Sequence, residues 1–206
     1  MLEPLVLDLD GVLRIWDPAI IVDAERDNGL PAGSLAGAAF GHSQRLHDAI
    51  TGAITDERWR EQISAELEAV HGPGARNAVA QWSAPAGRVN QEVLNIVRRE
   101  RKRRTVALFS NATTRLEWDL ARLGLAAEVD AVFNSSVIGA AKPSEDAFTA
   151  VAVQLGTAAS RCLFVDDTLI NTQSAERVGY TTHHFTGATG LEEFITSQAT
   201  SSADTP

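Results

Sequence analysis

The run Leu5-Val6-Leu7-Asp8-Leu9-Asp10-Gly11-Val12-Leu13 limits what this chain can fold into more than any other stretch. Its apolar start reads as a buried strand, and two carboxylates follow at alternate positions where the run meets a glycine. Residues two apart on a strand point the same way, so Asp8 and Asp10 can face one small space, with the chain starting to turn by Asp10. Two like charges that close need a cation or a shared proton. Alone, the segment also has a plain reading as a buried strand and an Asp-Gly turn. Strand ends of this kind are nonetheless where open α/β sheets build their active sites.

After this strand, residues 14–86 carry no clear strand but several helix-like stretches, at Pro18–Asn28, Leu35–Phe40, Ser43–Ile50, Asp56–His71 and Ala75–Trp82. In the fourth, Trp59, Ile63, Leu67 and Val70 recur at the spacing of an amphipathic helix, with Asp56 as its cap and Gly72-Pro73-Gly74 as its stop. From Gly87 the pattern changes. Short apolar runs at Thr105–Phe109, Ala131–Phe133, Cys162–Val165 and Thr181–Phe185 alternate with helical segments, as in a parallel sheet. The fold class expected is therefore α/β, a doubly wound, Rossmann-like, mostly parallel sheet with an inserted all-helical domain. Residues 1–13 and 88–195 form the core, 14–87 the insert, with Ser83–Gly87 as the return linker, and the Ser/Thr/Ala-rich tail 196–206 is expected to be disordered.

A chain of 206 residues, 44% hydrophobic and 22% charged, suffices for one large domain or a core with a smaller insert. Its net charge of −9 argues against a nucleic-acid or anionic-membrane surface, which needs clustered positive charge. The basic cluster Arg98, Arg99, Arg101, Lys102, Arg103 and Arg104 ends a helical stretch, where cations offset the partial negative charge of the helix C-terminus. Cys162 is the lone cysteine, so neither an internal disulfide nor a multi-cysteine metal site is available. No stretch approaches the roughly twenty apolar residues of a membrane span, and no basic-then-apolar leader precedes the first strand, so a cytoplasmic protein is expected.

Four strand ends carry polar residues suited to chemistry. Asp8 and Asp10 end the first strand, Ser110-Asn111 follow Thr105–Phe109, Lys142-Pro143 follow the strand at Ala131–Phe133 after a loop, and Asp166-Asp167 follow Cys162–Val165. Each of the last three has an ordinary reading as a helix cap or exposed loop. Together they supply carboxylates, a hydroxyl with backbone donors, and an ammonium at one edge of one sheet.

In this order, Asp8-Leu9-Asp10-Gly11-Val12, Phe109-Ser110-Asn111, Lys142-Pro143 and Val165-Asp166-Asp167 resemble the four signatures of the haloacid dehalogenase-like hydrolase superfamily. The resemblance spans the chain apart from its tail, and the helical insert is similar to that family's helical cap, in the phosphatase branch. It implies that Asp8 is a nucleophile forming an aspartyl-phosphate and that Asp10 is the general acid/base. It further implies a Mg²⁺ held by Asp8, the main-chain carbonyl of Asp10, and Asp166, and a phosphate clamp of Ser110, the Asn111 N–H and Lys142. Asp167 would support the site through water or by contacting Lys142, and Asn171 would hydrogen-bond in the same loop or cap the next helix.

The same resemblance separates possible reactions. Haloacid dehalogenases lack the second acid and need no metal, because a halide leaves without a proton, whereas this chain has Asp10 and the Asp166-Asp167 pair. Sugar phosphomutases of the family usually carry a histidine soon after the first signature, and Arg14-Ile15-Trp16-Asp17-Pro18 has none. A non-catalytic phosphate-binding protein is a third alternative, against which the intact Asp8 and Asp10 argue. The expected activity is thus Mg²⁺-dependent hydrolysis of a small phosphorylated metabolite, a sugar phosphate being one candidate, by a monomer or homodimer with no nucleic-acid or membrane partner. The chain is similar in finer detail to bacterial sugar-1-phosphate phosphatases and to the phosphatase domain of bifunctional epoxide hydrolases. Arg14, Trp16, His42, His47 and Trp82 are candidate specificity residues. His183-His184 sit on a strand, where neighbours face opposite ways, so a structural reading is expected for them.

Overall fold

The structure is a computed structural model and describes residues 2–201. The chain begins with β1 (Leu5–Leu7) and β2 (Arg14–Ile15), then five helices: α1 (Ala19–Asp27), α2 (Ser34–Phe40), α3 (Ser43–Ile50), α4 (Asp56–His71) and α5 (Gly74–Ser83). It returns through β3 (Arg88–Val89), α6 (Gln91–Glu100), β4 (Val106–Ser110), α7 (Leu116–Leu123), β5 (Ala131–Asn134) and α8 (Ser135–Ile138). It continues through α9 (Glu145–Gln154), β6 (Leu163–Asp166), α10 (Leu169–Val178), β7 (Thr181–His184) and α11 (Ala188–Ser201).

Five strands pair in the order β5-β4-β1-β6-β7, all parallel. β1 is central, with Leu7 beside Leu108 of β4 and Val165 of β6, so the carboxyl ends of three strands converge where Asp8 begins. Both faces of β1 are covered, which is why it reads as a continuous apolar run rather than an alternating one. Leu5 and Leu7 join Val93, Val97, Leu116 and Leu191 on one side. Val6 joins Phe109, Phe148 and Phe164 on the other, where Phe148 meets Phe164 edge to face at 5.1 Å. The doubly wound parallel sheet expected from the sequence is present.

The helices between β2 and β3 pack around an apolar cluster of their own, drawn from residues 24–79 and including Leu35, Trp59, Ile63 and Leu67. α4 starts differently from the expectation: the Thr55 side chain caps it by accepting from Arg58 N at 3.2 Å, and Asp56 is buried in its first turn. Two crossings lead into and out of this segment, and β2 and β3 tie them together as an antiparallel pair, Arg14 against Val89. No strand was expected there, since two residues are too few to show a period. The segment also touches the sheet's strand ends: Ser135 Oγ donates to Ile50 O at 2.5 Å, and Gly52, at φ 77°, lies so close to Ser136 O that a Cβ would meet it at 2.0 Å.

The C-terminal expectation needs correction. Residues 196–201, expected to be disordered, continue α11, whose Leu191 and Ile195 are buried against the sheet's helices; the rest of that expectation, 202–206, lies outside the described residues. Four of the six residues of the basic cluster are held in ion pairs: Arg98 with Glu128 at 2.5 Å, Arg99 with Glu192 at 2.9 Å, Arg101 with Asp130 at 2.7 Å, and the buried Arg104 with Glu100 at 3.1 Å. Among the described residues no helix is long and apolar enough to cross a membrane.

Candidate active site

Asp8 follows β1 directly, its N–H donating to Val165 O at 2.8 Å and its Oδ1 accepting from Leu9 N at 2.7 Å. Lys142 Nζ lies 2.8 Å from Asp8 Oδ1, 2.7 Å from Asp166 Oδ2 and 3.1 Å from Phe109 O, so its three ammonium donors are all engaged. The loop carrying Lys142 is fixed by Asn111. That side chain accepts from Lys142 N and donates to Lys142 O, both at 2.8 Å. Ser110, the last residue of β4, is buried beside it.

Asp166 ends β6 and is fully buried. Its Oδ1 accepts from Thr168 N at 2.8 Å, and Asn171 Nδ2 donates to both of its oxygens at 3.1 Å. Of the two readings open for Asn171, the hydrogen bond within the loop is the one realised. Of the two routes by which Asp167 is expected to support the site, through water or by contacting Lys142, the second is not taken, since the Lys142 ion pairs go to Asp8 and Asp166. Its carboxylate lies over Gly11, where a Cβ would meet Oδ2 at 1.9 Å; at φ 78° the position favours glycine on backbone grounds as well. His184 Nε2 is 2.9 Å from Asp167 O, and His183 stacks on Phe194 at 5.0 Å, so the two histidines part as adjacent strand residues do.

Asp8, Asp166 and Asp167 each offer a carboxylate oxygen within 4.8 Å of the others. Burial pushes the Asp8 carboxyl up to about 7; Lys142 opposes this, and Asp166 adds to it. Asp167 is raised too, by burial and then by Asp166. Burial works against the Lys142 ammonium, but Asp8 and Asp166 outweigh it and the net shift is upward. An all-oxygen donor set with excess negative charge fits a hard divalent cation such as Mg²⁺. The Asp10 carboxylate stands outside this group, so a metal role for Asp10, as the resemblance implies it, can involve only its main-chain carbonyl.

Both oxygens of Asp10 accept from Arg14, Oδ1 from Nε at 2.6 Å and Oδ2 from Nη2 at 2.8 Å, and Trp16 Nε1 also donates to Oδ1 at 2.7 Å. Arg14 is buried and reaches on to Asp119 Oδ2 at 3.0 Å, and Arg115 holds the other Asp119 oxygen at 2.9 Å. Arg115 also donates to Ser83 O and, at 3.1 Å, to Pro85 O, joining α7 to the return crossing. These contacts were not expected, because residues as far apart as 14 and 119 give no signal in one sequence.

Asp10 and Asn111 line a cavity between the helical segment and the sheet, together with Arg14, Trp16 and Trp82. His42 and His47 do not. His42 is exposed and 3.1 Å from Glu66 beside a separate recess, and His47 is exposed on α3, so neither candidate specificity role is supported. The cavity also uses Phe40, Trp59, Asp56, Arg60 and Thr113, none of them expected at the site.

The family model for haloacid dehalogenase-like hydrolase matches residues 5–179. None of the curated proteins compared with the chain matches it. Among solved structures, a HAD family enzyme from Bacteroides thetaiotaomicron is 20% identical with a TM-score of 0.73, covering 88% of this chain and 92% of its own. That enzyme in complex with magnesium and inorganic phosphate gives 19% identity and a TM-score of 0.67, over 89% and 93% of the two chains. The L-2-haloacid dehalogenase of Xanthobacter autotrophicus is 20% identical with a TM-score of 0.65, over 96% and 83%. At such identities the likeness is one of fold, and the family model covers most of the sequence. The chain belongs to the haloacid dehalogenase-like hydrolases.

Proposed function

We propose that this hydrolase is a Mg²⁺-dependent phosphomonoesterase working through a phosphorylated Asp8, on a small phosphorylated metabolite. The observation that carries this reading is the joining of Asp8 to Lys142 at 2.8 Å inside a group of three carboxylates, with Asp10 lining the adjoining cavity. An Asp8 oxygen attacks phosphorus as the bond to the leaving oxygen breaks, and that oxygen takes a proton from Asp10. Water then attacks phosphorus, its proton passing to Asp10, and the bond to Asp8 breaks to restore the carboxylate and release phosphate. Lys142, Ser110 and the Asn111 N–H oppose charge on the transferring group. Bound Mg²⁺, held by Asp8, Asp166, the Asp10 main-chain carbonyl and, on the geometry, Asp167, would offset the repulsion between carboxylate and phosphate dianion.

Asp10 Oδ1 accepts from both Arg14 and Trp16, whereas Oδ2 accepts from Arg14 alone and so keeps a lone pair to carry the proton for the leaving group. That makes Arg14 a positioning residue for the acid/base. Asp10 also favours phosphate over halide chemistry, since a departing halide needs no proton. The magnesium and phosphate complex of a structural neighbour supports the same reading. The helical segment 14–87 would serve as the cap over the leaving group, in a cytoplasmic protein without nucleic-acid or membrane partners. The test is phosphate release from p-nitrophenyl phosphate with and without Mg²⁺, beside halide release from chloroacetate. Metal-dependent phosphate release alone supports the proposal, and metal-independent chloride release without phosphate release defeats it.

A further inference from the structure

The cavity beyond Asp10 and Asn111 has a volume of about 430 Å³, room for a leaving group of ring size. Its wall in the helical segment is aromatic. Trp82 meets Trp59 at 5.6 Å and Phe40 at 5.9 Å, both edge to face, and Ile21 and Leu46 line the cavity with them. Charged side chains border it as well, and all but Asp17, which accepts from Ala19 N at 2.9 Å, are held in ion pairs. Arg60 pairs with Asp56 at 2.8 Å, Asp56 accepts from the Thr113 hydroxyl at 2.7 Å, and Arg14 and Arg115 hold Asp10 and Asp119. The Asn111 amide is engaged on both sides by the Lys142 main chain.

A polyol in this space would give up hydration for hydroxyls that face aromatic surface or donors and acceptors already in use. An apolar ring would bury its whole surface against the indoles. The Trp59 indole N–H has no acceptor among the described residues, but it is buried with the 5% exposed side chain and offers no donor at the cavity surface for a hydroxyl. We infer that the alcohol displaced from phosphorus by Asp8 is apolar and ring-sized, and that a sugar is not the preferred leaving group. This rests on the phosphomonoesterase reading of the same site.

The test compares kcat/KM, with Mg²⁺ present, for cyclohexylmethyl phosphate and for D-glucose phosphorylated on its primary hydroxyl, with acetyl phosphate as a donor too small to reach the aromatic wall. Both ring compounds are primary alkyl monoesters on a six-membered ring, so they differ mainly in hydroxylation. The expected result is a preference of at least about 100-fold for the cyclohexyl ester. Trp82→Leu should shrink that ratio at least about tenfold, mainly through KM for the cyclohexyl ester. Equal or better use of the sugar phosphate, or turnover of acetyl phosphate with neither ring ester accepted, overturns the inference and leaves the phosphatase reading intact. No turnover of any of the three brings down that reading, and the inference with it. The wild-type comparison decides the matter even if the variant does not fold.

Discussion

Arg14 grips Asp10 with two parallel hydrogen bonds, Nε to Oδ1 at 2.6 Å and Nη2 to Oδ2 at 2.8 Å. The same guanidinium bonds Asp119 at 3.0 Å, so the residue that starts the crossing into the helical segment ties Asp10 to a helix of the sheet layer. Only a planar fork can make this bridge, and a lysine in its place offers a single charged point.

Arg14→Lys therefore lowers kcat by roughly 10- to 100-fold while KM changes little, because orientation of the acid/base is lost and contacts to the phosphoryl group are kept. Steady-state kinetics at saturating Mg²⁺ check this. A rise in KM with kcat unchanged would assign Arg14 to ground-state substrate binding instead.

Asn171 donates to both oxygens of Asp166 at 3.1 Å. Asn171→Ala frees the Asp166 carboxylate to rotate, and the Mg²⁺ concentration for half-activation should rise roughly 10- to 100-fold. Activity at saturating metal should recover most of its wild-type level. Magnesium titration of initial rates measures both, and an unchanged half-activation point contradicts the role.

The Asp8 carboxyl, pushed up to about 7 by burial, links stability to pH. A carboxyl raised in the folded state binds more protons there than in the unfolded chain. Its stabilising contribution is full below the ordinary carboxylate range and is lost as pH rises through about 7. A cation beside Asp8 replaces the proton, so Mg²⁺ should raise the melting temperature more at about pH 8 than at about pH 5.5. Thermal unfolding at both pH values, with and without the ion, tests this; equal shifts contradict it.

Much of this site is legible in the sequence because three of the four signatures directly follow a buried apolar run. Leu5–Leu7, Val106–Phe109 and Leu163–Val165 are buried on both faces of the sheet, so their hydrophobicity marks them as strands and the residues that follow, Asp8, Ser110 and Asp166, as site residues. The fixing of Lys142 by Asn111 and the bond from Asn171 to Asp166 are set by the packing of distant loops, which one sequence cannot display. Trp59 fits the apolar face of α4 and reads as core. It is core, but it also lines the cavity, and periodicity cannot separate the two roles. For His42 and His47 residue type suggests chemistry, but His47 is exposed on α3 and His42, just before that helix, is exposed beside Glu66, and neither lines the cavity. The Ser/Thr content near the C-terminus concealed the spacing of Leu191 and Ile195 that holds α11 in place.

The most direct measurement is acid-quenched single turnover with a phosphoryl donor and Mg²⁺, followed by peptide mass spectrometry. The account predicts an acid-stable, hydroxylamine-labile phosphoryl group on Asp8, absent from Asp8→Asn, whose turnover falls at least about a thousandfold with its fold retained. Turnover of the wild type with the label on another residue, or Asp8→Asn with undiminished activity, would contradict it.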